Sequence, residues 1–230
     1  MDGHRDIGAG KEFEKAGAAM IIAVDGPAAS GKGTIARALA GHYALPYLDT
    51  GLLYRAVGLA VARARGDPDA EADALAACWF GDSLLDDPEL RAEATGALAS
   101  RVSVHGAVRA ALVQRQRDFA GQPGGAVLDG RDIGTVIAPN ADAKLFVIAS
   151  AQERANRRAG EMALRGINAD LDAILTDIAA RDARDMGRAN APLRQAEGAD
   201  LLDTSILTID AAVQQAIALV DAQLEGRRKG

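Results

Sequence analysis

The run Gly26-Pro27-Ala28-Ala29-Ser30-Gly31-Lys32-Gly33-Thr34 has the spacing Gly-x-x-x-x-Gly-Lys, an order of residue types suited to holding a row of phosphates. Glycines let the backbone turn tightly and aim successive N–H groups inward, making a nest for phosphate oxygens. A helix beginning at the end of the loop would present its free N–H groups and positive dipole end to the same anion. Lys32 adds a mobile point charge able to follow a phosphate in transfer. Gly33 stands where Ser or Thr usually follows the lysine, and the hydroxyl is displaced to Thr34. Residues Gly26 to Thr34 are therefore expected on the phosphates of a nucleotide.

A second group of charges follows a second apolar run. Asp129-Gly130-Arg131-Asp132 comes directly after Ala126-Val127-Leu128. A carboxylate ending a core strand beside a phosphate loop can hold the water shell of Mg²⁺, so Asp129 (through water) and Thr34 are the candidate metal residues. A solvated Gly/Asp turn would look similar; the Arg131–Asp132 pair tips the reading toward function. Arg154, Arg157 and Arg158 share one helical face, and Arg181, Arg184 and Arg188 share another. Stacked like charges at these spacings destabilise a helix. Asp177, Asp182 and Asp185 can offset the second set, whereas the first, with only Glu153 and Glu161 nearby, is expected to be free for an external anion. An isolated charged face is usually just solvated; two of them in a chain with a phosphate loop favour a phosphate clamp. The three histidines accompany no nucleophile or ligand set. That fits a phosphate acceptor, which is largely ionised near neutral pH with a second pKa of about 6 and needs alignment and charge neutralisation rather than a base.

The elements that must position these residues are readable as alternating apolar strands and helices. Strands are expected at 21–25, 45–49, 126–129, 143–149 and 201–204. Helices are expected from Ile35 to Tyr43, 52–65, 88–100, 104–119, 151–165, 170–186 and 209–224, with weaker helical potential at 69–80. Tyr54 and Arg55 fall in the first turn of the second helix, after the capping turn Asp49-Thr50-Gly51. Such alternation predicts an α/β fold with a parallel sheet covered on both faces.

Composition sets the frame. At 230 residues and 49% apolar content the chain can bury one good core, and its 3% aromatic content makes that core aliphatic. No segment reaches the roughly 18 apolar residues of a membrane span. The net charge of −6 argues against a general nucleic-acid face. A lone cysteine, Cys78, excludes an internal disulfide framework and a cysteine-rich zinc site. A cytoplasmic monomer without membrane attachment is expected. Residues 1–19 read as a disordered leader or an expression remnant, with Met20 a plausible native start, and 20–230 as a single domain.

The runs Asp25-Gly-Pro-Ala-Ala-Ser-Gly-Lys-Gly-Thr34, Leu48-Asp-Thr-Gly-Leu-Leu-Tyr-Arg55, Asp129-Gly-Arg-Asp-Ile-Gly-Thr135, Arg181-Asp-Ala-Arg-Asp185 through Arg188 and Ala191-Pro-Leu193 occur in the order seen in bacterial cytidylate kinases. The chain resembles that family from about Ile21 to Val220. The resemblance implies a three-layer phosphate-loop kinase fold, with a monophosphate-binding region over about 51–120 that contains a small insert, and an arginine-rich lid over about 151–190. It implies ATP with Mg²⁺ as donor on Gly26–Thr34 and CMP or dCMP as acceptor. Thr50, Arg55 and Arg131 would hold the acceptor phosphate, with Tyr54 beside them. Ser100, Arg109, Asp132 and Arg188 would read cytosine, and Arg181 and Asp185 the sugar. Lys32, Arg131, Arg154, Arg157 and Arg158 would act on the transferring phosphate. The base assignment also makes physical sense: a carboxylate accepts from cytosine N4 while an arginine donates to N3 or O2, and uracil would leave both mispaired. Thr50 replaces the serine of some relatives, and Gly66–Leu90 has little strand pattern with which to build the small sheet of longer members. The alternatives are another monophosphate or small-metabolite kinase of the same fold, or a slow nucleotide-hydrolysing switch.

Overall fold

The computed structural model describes residues 19–228. The expected leader lies outside the described residues except for Ala19. Five strands, β1 (Met20–Asp25), β2 (Tyr47–Asp49), β3 (Gly125–Gly130), β4 (Ala143–Ile148) and β5 (Asp200–Asp203), form one parallel sheet in the order β2-β3-β1-β4-β5. The middle strand β1 is apolar at five of its six residues, as a strand covered on both faces must be. Its alternate residues Ile22 and Val24 pack with helices α1 (Lys32–His42) and α8 (Ile209–Arg228) on one face. Ala23 packs on the other face with β3 and α5 (Gly106–Ala120). Helices α2 (Thr50–Arg63), α3 (Glu71–Ala76) and α4 (Glu93–Val102) share a separate core with α5 beside the sheet. Helices α6 (Ala151–Leu164) and α7 (Leu171–Met186) pair with each other through Ala155, Ile174 and Ile178. Among the described residues no helix is long and apolar enough to cross a membrane.

Several expected boundaries move. Helix α2 starts at Thr50, capped by the Asp49 carboxylate on the Gly51 N–H at 2.9 Å, so Tyr54 and Arg55 sit past its first turn. The helix expected over 88–100 is broken: Pro88–Arg91 is a 3₁₀ turn, Ala92 is extended at φ −68°, ψ 148°, and α4 begins at Glu93. Between Gly66 and Leu90 the one α-helix is Glu71–Ala76, with 3₁₀ turns and no strand. Trp79, the only tryptophan, follows α3 and is 82% exposed.

Candidate active site

Strand β1 delivers the chain into the glycine loop, and the loop's conformation explains its residues. Gly26 has φ 156°, and a Cβ there would stand 2.1 Å from the Val147 carbonyl oxygen. Gly31 caps α1 at φ 88°. Ala29 takes φ 58°, a strained setting for a residue with a side chain and one found at ligand clamps. The next turn, Lys32 onward, is helical, so the loop ends on a helix N-terminus as the sequence predicts.

Lys32 Nζ lies 4.0 Å from Asp129 Oδ2. Burial first, and then the Arg131 charge, lowers its amine to about 8. On the other oxygen Asp129 accepts the Tyr47 hydroxyl at 2.7 Å. Burial and the neighbouring Asp49 carboxylate push Asp129 up, so a cation here would relieve two crowded carboxylates. Two carboxylates with Lys32 suit an ion that keeps much of its water shell and binds phosphate oxygens. The residues therefore fit Mg²⁺, although no hydrogen bond among the described residues joins the exposed Thr34 to Asp129. A Cβ at Gly33 would stand 3.6 Å from Asp129 Oδ2 and 3.7 Å from the Tyr47 hydroxyl. Tyr47 was not legible as a site residue, because an aromatic in a short apolar strand reads as core.

At the carboxyl ends of β3 and β2 lies an open cleft. It gathers Thr50, Tyr54, Arg55, Ser100, Arg109, Arg131, Asp132, Arg181, Asp185 and Arg188, every residue expected on the acceptor. Its lining holds five arginines against two aspartates. Arg131 donates to Asp185 at 2.9 Å, and Arg188 pairs with the same carboxylate. Burial raises Asp185, but Arg131 and Arg188 outweigh it and hold the group below its usual range. Arg109 pairs with Asp132 and lies over the Tyr54 ring at 5.4 Å. Burial, then repulsion from Arg131, pulls Arg181 down to about 9, and its buried Nε has no hydrogen-bond partner among the described residues. The cleft thus has cationic donors left over for an anion.

Some expected contacts are differently used. The Thr50 hydroxyl donates to the Asp129 carbonyl at 2.8 Å. Arg55 donates to the Leu90 and Ala92 carbonyls at 2.7 and 3.0 Å, so one of its nitrogens holds the segment before α4. The expectation of free arginines on α6 is overturned. Arg154 grips Asp182 of α7 with both terminal nitrogens and donates to the Ala28 carbonyl of the loop at 3.3 Å. Arg157 pairs with Glu153 at 3.1 Å and donates to the Thr204 carbonyl at 2.7 Å. Arg158 pairs with Glu93 of α4. The local count of nearby acids missed Asp182 and Glu93 because both arrive from other helices. Thr204, whose hydroxyl donates to the Ser30 carbonyl at 2.8 Å, and Ser103, which accepts from Arg188 at 3.0 Å, also escaped the sequence reading; single hydroxyls in loops carry no spacing signal.

A glycine loop running into a helix, a strand-end aspartate beside its lysine, and a second cationic cleft a short way off define a phosphate-handling α/β fold with two ligand subsites. The sequence pattern of the cytidylate kinase family matches residues 22–222. A relative named cytidylate kinase from Rhodopseudomonas palustris is 54% identical over 211 residues, 91% of this chain and 100% of its own length. Another, from Xanthobacter autotrophicus, is 56% identical over 209 residues, 90% and 100% of the two chains. A crystal structure of an uncharacterized protein from Eubacterium ventriosum superposes with a TM-score of 0.55 at 16% identity, covering 88% of this chain and 98% of that one; that likeness is one of fold. The chain belongs to the cytidylate kinase family.

Proposed function

We propose that this protein moves the γ-phosphoryl group of ATP to CMP or dCMP, giving ADP and CDP or dCDP. The observation that carries the reading is the cleft beside Lys32, with five arginines against two aspartates and an unpartnered buried Arg181 Nε. A switch that only hydrolyses ATP has no use for a second cationic subsite of this kind. Gly26–Thr34 hold the donor phosphates on backbone N–H groups and Lys32. Arg131 sits between the subsites: its charge is felt by Lys32 on one side, and it pairs with Asp185 on the other. It is therefore placed to hold the acceptor phosphate and to neutralise charge on the transferring group. Thr34 and Asp129, with Asp49 and intervening water, would hold Mg²⁺, which supplies charge neutralisation between the donor's phosphates when bound. Thr50 contributes from the start of α2, whose free N–H groups face the acceptor phosphate, while Arg55 adds its remaining nitrogens.

Cytosine is read by the Asp132–Arg109 pair with Arg188 and Ser100, and the sugar by Arg181 and Asp185. Arg154, Arg157 and Arg158 belong to the lid over about 151–190, but they work from fixed partners: Arg154 and Arg157 buttress the loop through Ala28 and Thr204. The protein acts as one domain over 20–230 with an acceptor region over about 51–120, a monomer in the cytoplasm with no nucleic-acid partner and no membrane. A coupled assay with CMP, dCMP, UMP, AMP and shikimate as acceptors tests the reaction. CMP and dCMP should exceed the others by tenfold or more in kcat/KM, as expected from buried mispaired groups. Poor turnover of both, or ATP hydrolysis indifferent to CMP, refutes it.

A further inference from the structure

Strand β1 reads Met20-Ile-Ile-Ala-Val-Asp25, and its last side chain is a carboxylate that no step above uses. Asp25 is 3% exposed. Its two oxygens accept the main-chain N–H groups of Ile133 and Gly134, each at 2.8 Å. No salt bridge to it is present among the described residues. Burying a carboxylate in an apolar strand costs far more than burying another valine, and what this one holds is a single turn.

That turn follows Arg131 and Asp132 directly. The β1–β3 ladder ends with Asp25 opposite Gly130, so the sheet itself does not fix Arg131 and Asp132. Downstream the chain enters a five-residue π-turn, Ile133–Ile137, whose closing N–H groups return to the Asp132 carbonyl. The two leading N–H groups of the turn find their acceptor in Asp25 instead. The residue directly after β1 is Gly26, locked against the Val147 carbonyl by close approach. One residue therefore joins the donor loop through its main chain and the acceptor turn through its side chain.

We infer that Asp25 is a positioning residue that fixes the register between the two subsites, holding Arg131 and Asp132 at a set place relative to the phosphate loop. In-line transfer is sensitive to such placement, a misplacement of about 1 Å costing about a hundredfold. This rests on the acceptor reading above. Asp25→Asn keeps one acceptor and turns an amide NH₂ toward the other N–H, so the turn must shift while the loop remains.

The test compares wild type and Asp25→Asn as full-length folded protein, checked by circular dichroism. With ATP saturating, kcat/KM for CMP should fall by about tenfold or more and the CMP:UMP preference should narrow by about threefold or more, with the KM for ATP within about twofold. A purely structural role would lower all activities in proportion. An unchanged CMP:UMP ratio, or an equal loss toward ATP, overturns the inference. Wild type that fails to phosphorylate CMP refutes the reaction instead, so the two failures are distinguishable. If Asp25→Asn does not fold, amide hydrogen exchange on wild type decides. The Ile133 and Gly134 amides should exchange slowly, and more slowly with CMP than with ATP; exchange at the rate of exposed loop amides, or no response to CMP, overturns the proposal.

Discussion

Lys32 shows how one residue's environment sets its working range. Its amine is lowered to about 8, chiefly by burial and then by Arg131. For a base with a lowered pKa, the charged form is present below about 8 and lost above it. A bound phosphate favours the ammonium and moves the pKa back up. Two consequences follow from the same sign. In free protein, kcat/KM for ATP should decline as pH rises through about 8. ATP binding near pH 8.5 should be accompanied by uptake of a fraction of a proton, visible as a dependence of the calorimetric heat on buffer ionisation enthalpy. Release of protons on binding would contradict the assignment. The neighbouring Tyr47–Asp129 bond belongs to the same scale: the phenol fixes one carboxylate oxygen and leaves the other toward Lys32, an orienting role of the kind found around metal ligands.

At the scale of elements, α6 and α7 form a unit held to the rest by few but directed contacts. Arg154 is 5% exposed and braced by both oxygens of Asp182. Removing the acid leaves a buried guanidinium unpaired, at a cost of about 3 kcal/mol. Asp182→Ala should therefore lower the thermal midpoint by roughly 6 °C or more and reduce phosphoryl transfer through the loosened Ala28 contact. A change within 1–2 °C of wild type would show that the pair bears no load.

The parallel sheet and the glycine loop were legible in the sequence because both rest on local pattern, an apolar run ending in a turn residue that little else can replace. Much of the cleft was legible as charge, since Arg55, Arg131, Asp132, Arg181, Asp185 and Arg188 lie in short dense motifs; Ser100 and Arg109 lie in none of them and were named only through the family resemblance. What escaped was pairing between distant helices. The offsetting acids for Arg154 and Arg158 sit 28 residues later at Asp182 and on α4 at Glu93. The stretch from Gly66 to Ala92 was obscure for a different reason: its alanines favour helix while its aspartates, glycines and prolines favour turns, and Pro88 and the extended Ala92 divide what composition alone joins into a helix.

Across the whole molecule, the α6–α7 unit and the acceptor helices meet directly. Arg158 pairs with Glu93, Arg165 donates to the Arg91 carbonyl at 3.3 Å, and Arg184 donates to Ser100 at 3.1 Å. Glu93 is half-exposed, and such pairs contribute about 0–1 kcal/mol. Glu93→Gln should accordingly move the unfolding midpoint by less than about 4 °C, far less than Asp182→Ala, in a melt followed by circular dichroism. A loss as large as that of Asp182→Ala would mean that the two halves are clamped by one ion pair rather than by several weak ones.

Trp79 decides how such melts can be followed. The molecule's sole tryptophan stands on the acceptor side, away from the sheet and largely in water, with Phe80 stacked under Arg115 at 5.0 Å beside it. Its emission is consequently blind to the core: a chain whose sheet melts could glow much as the native one does. An indole this exposed stays in water in either state, so unfolding is better followed by circular dichroism than by its fluorescence.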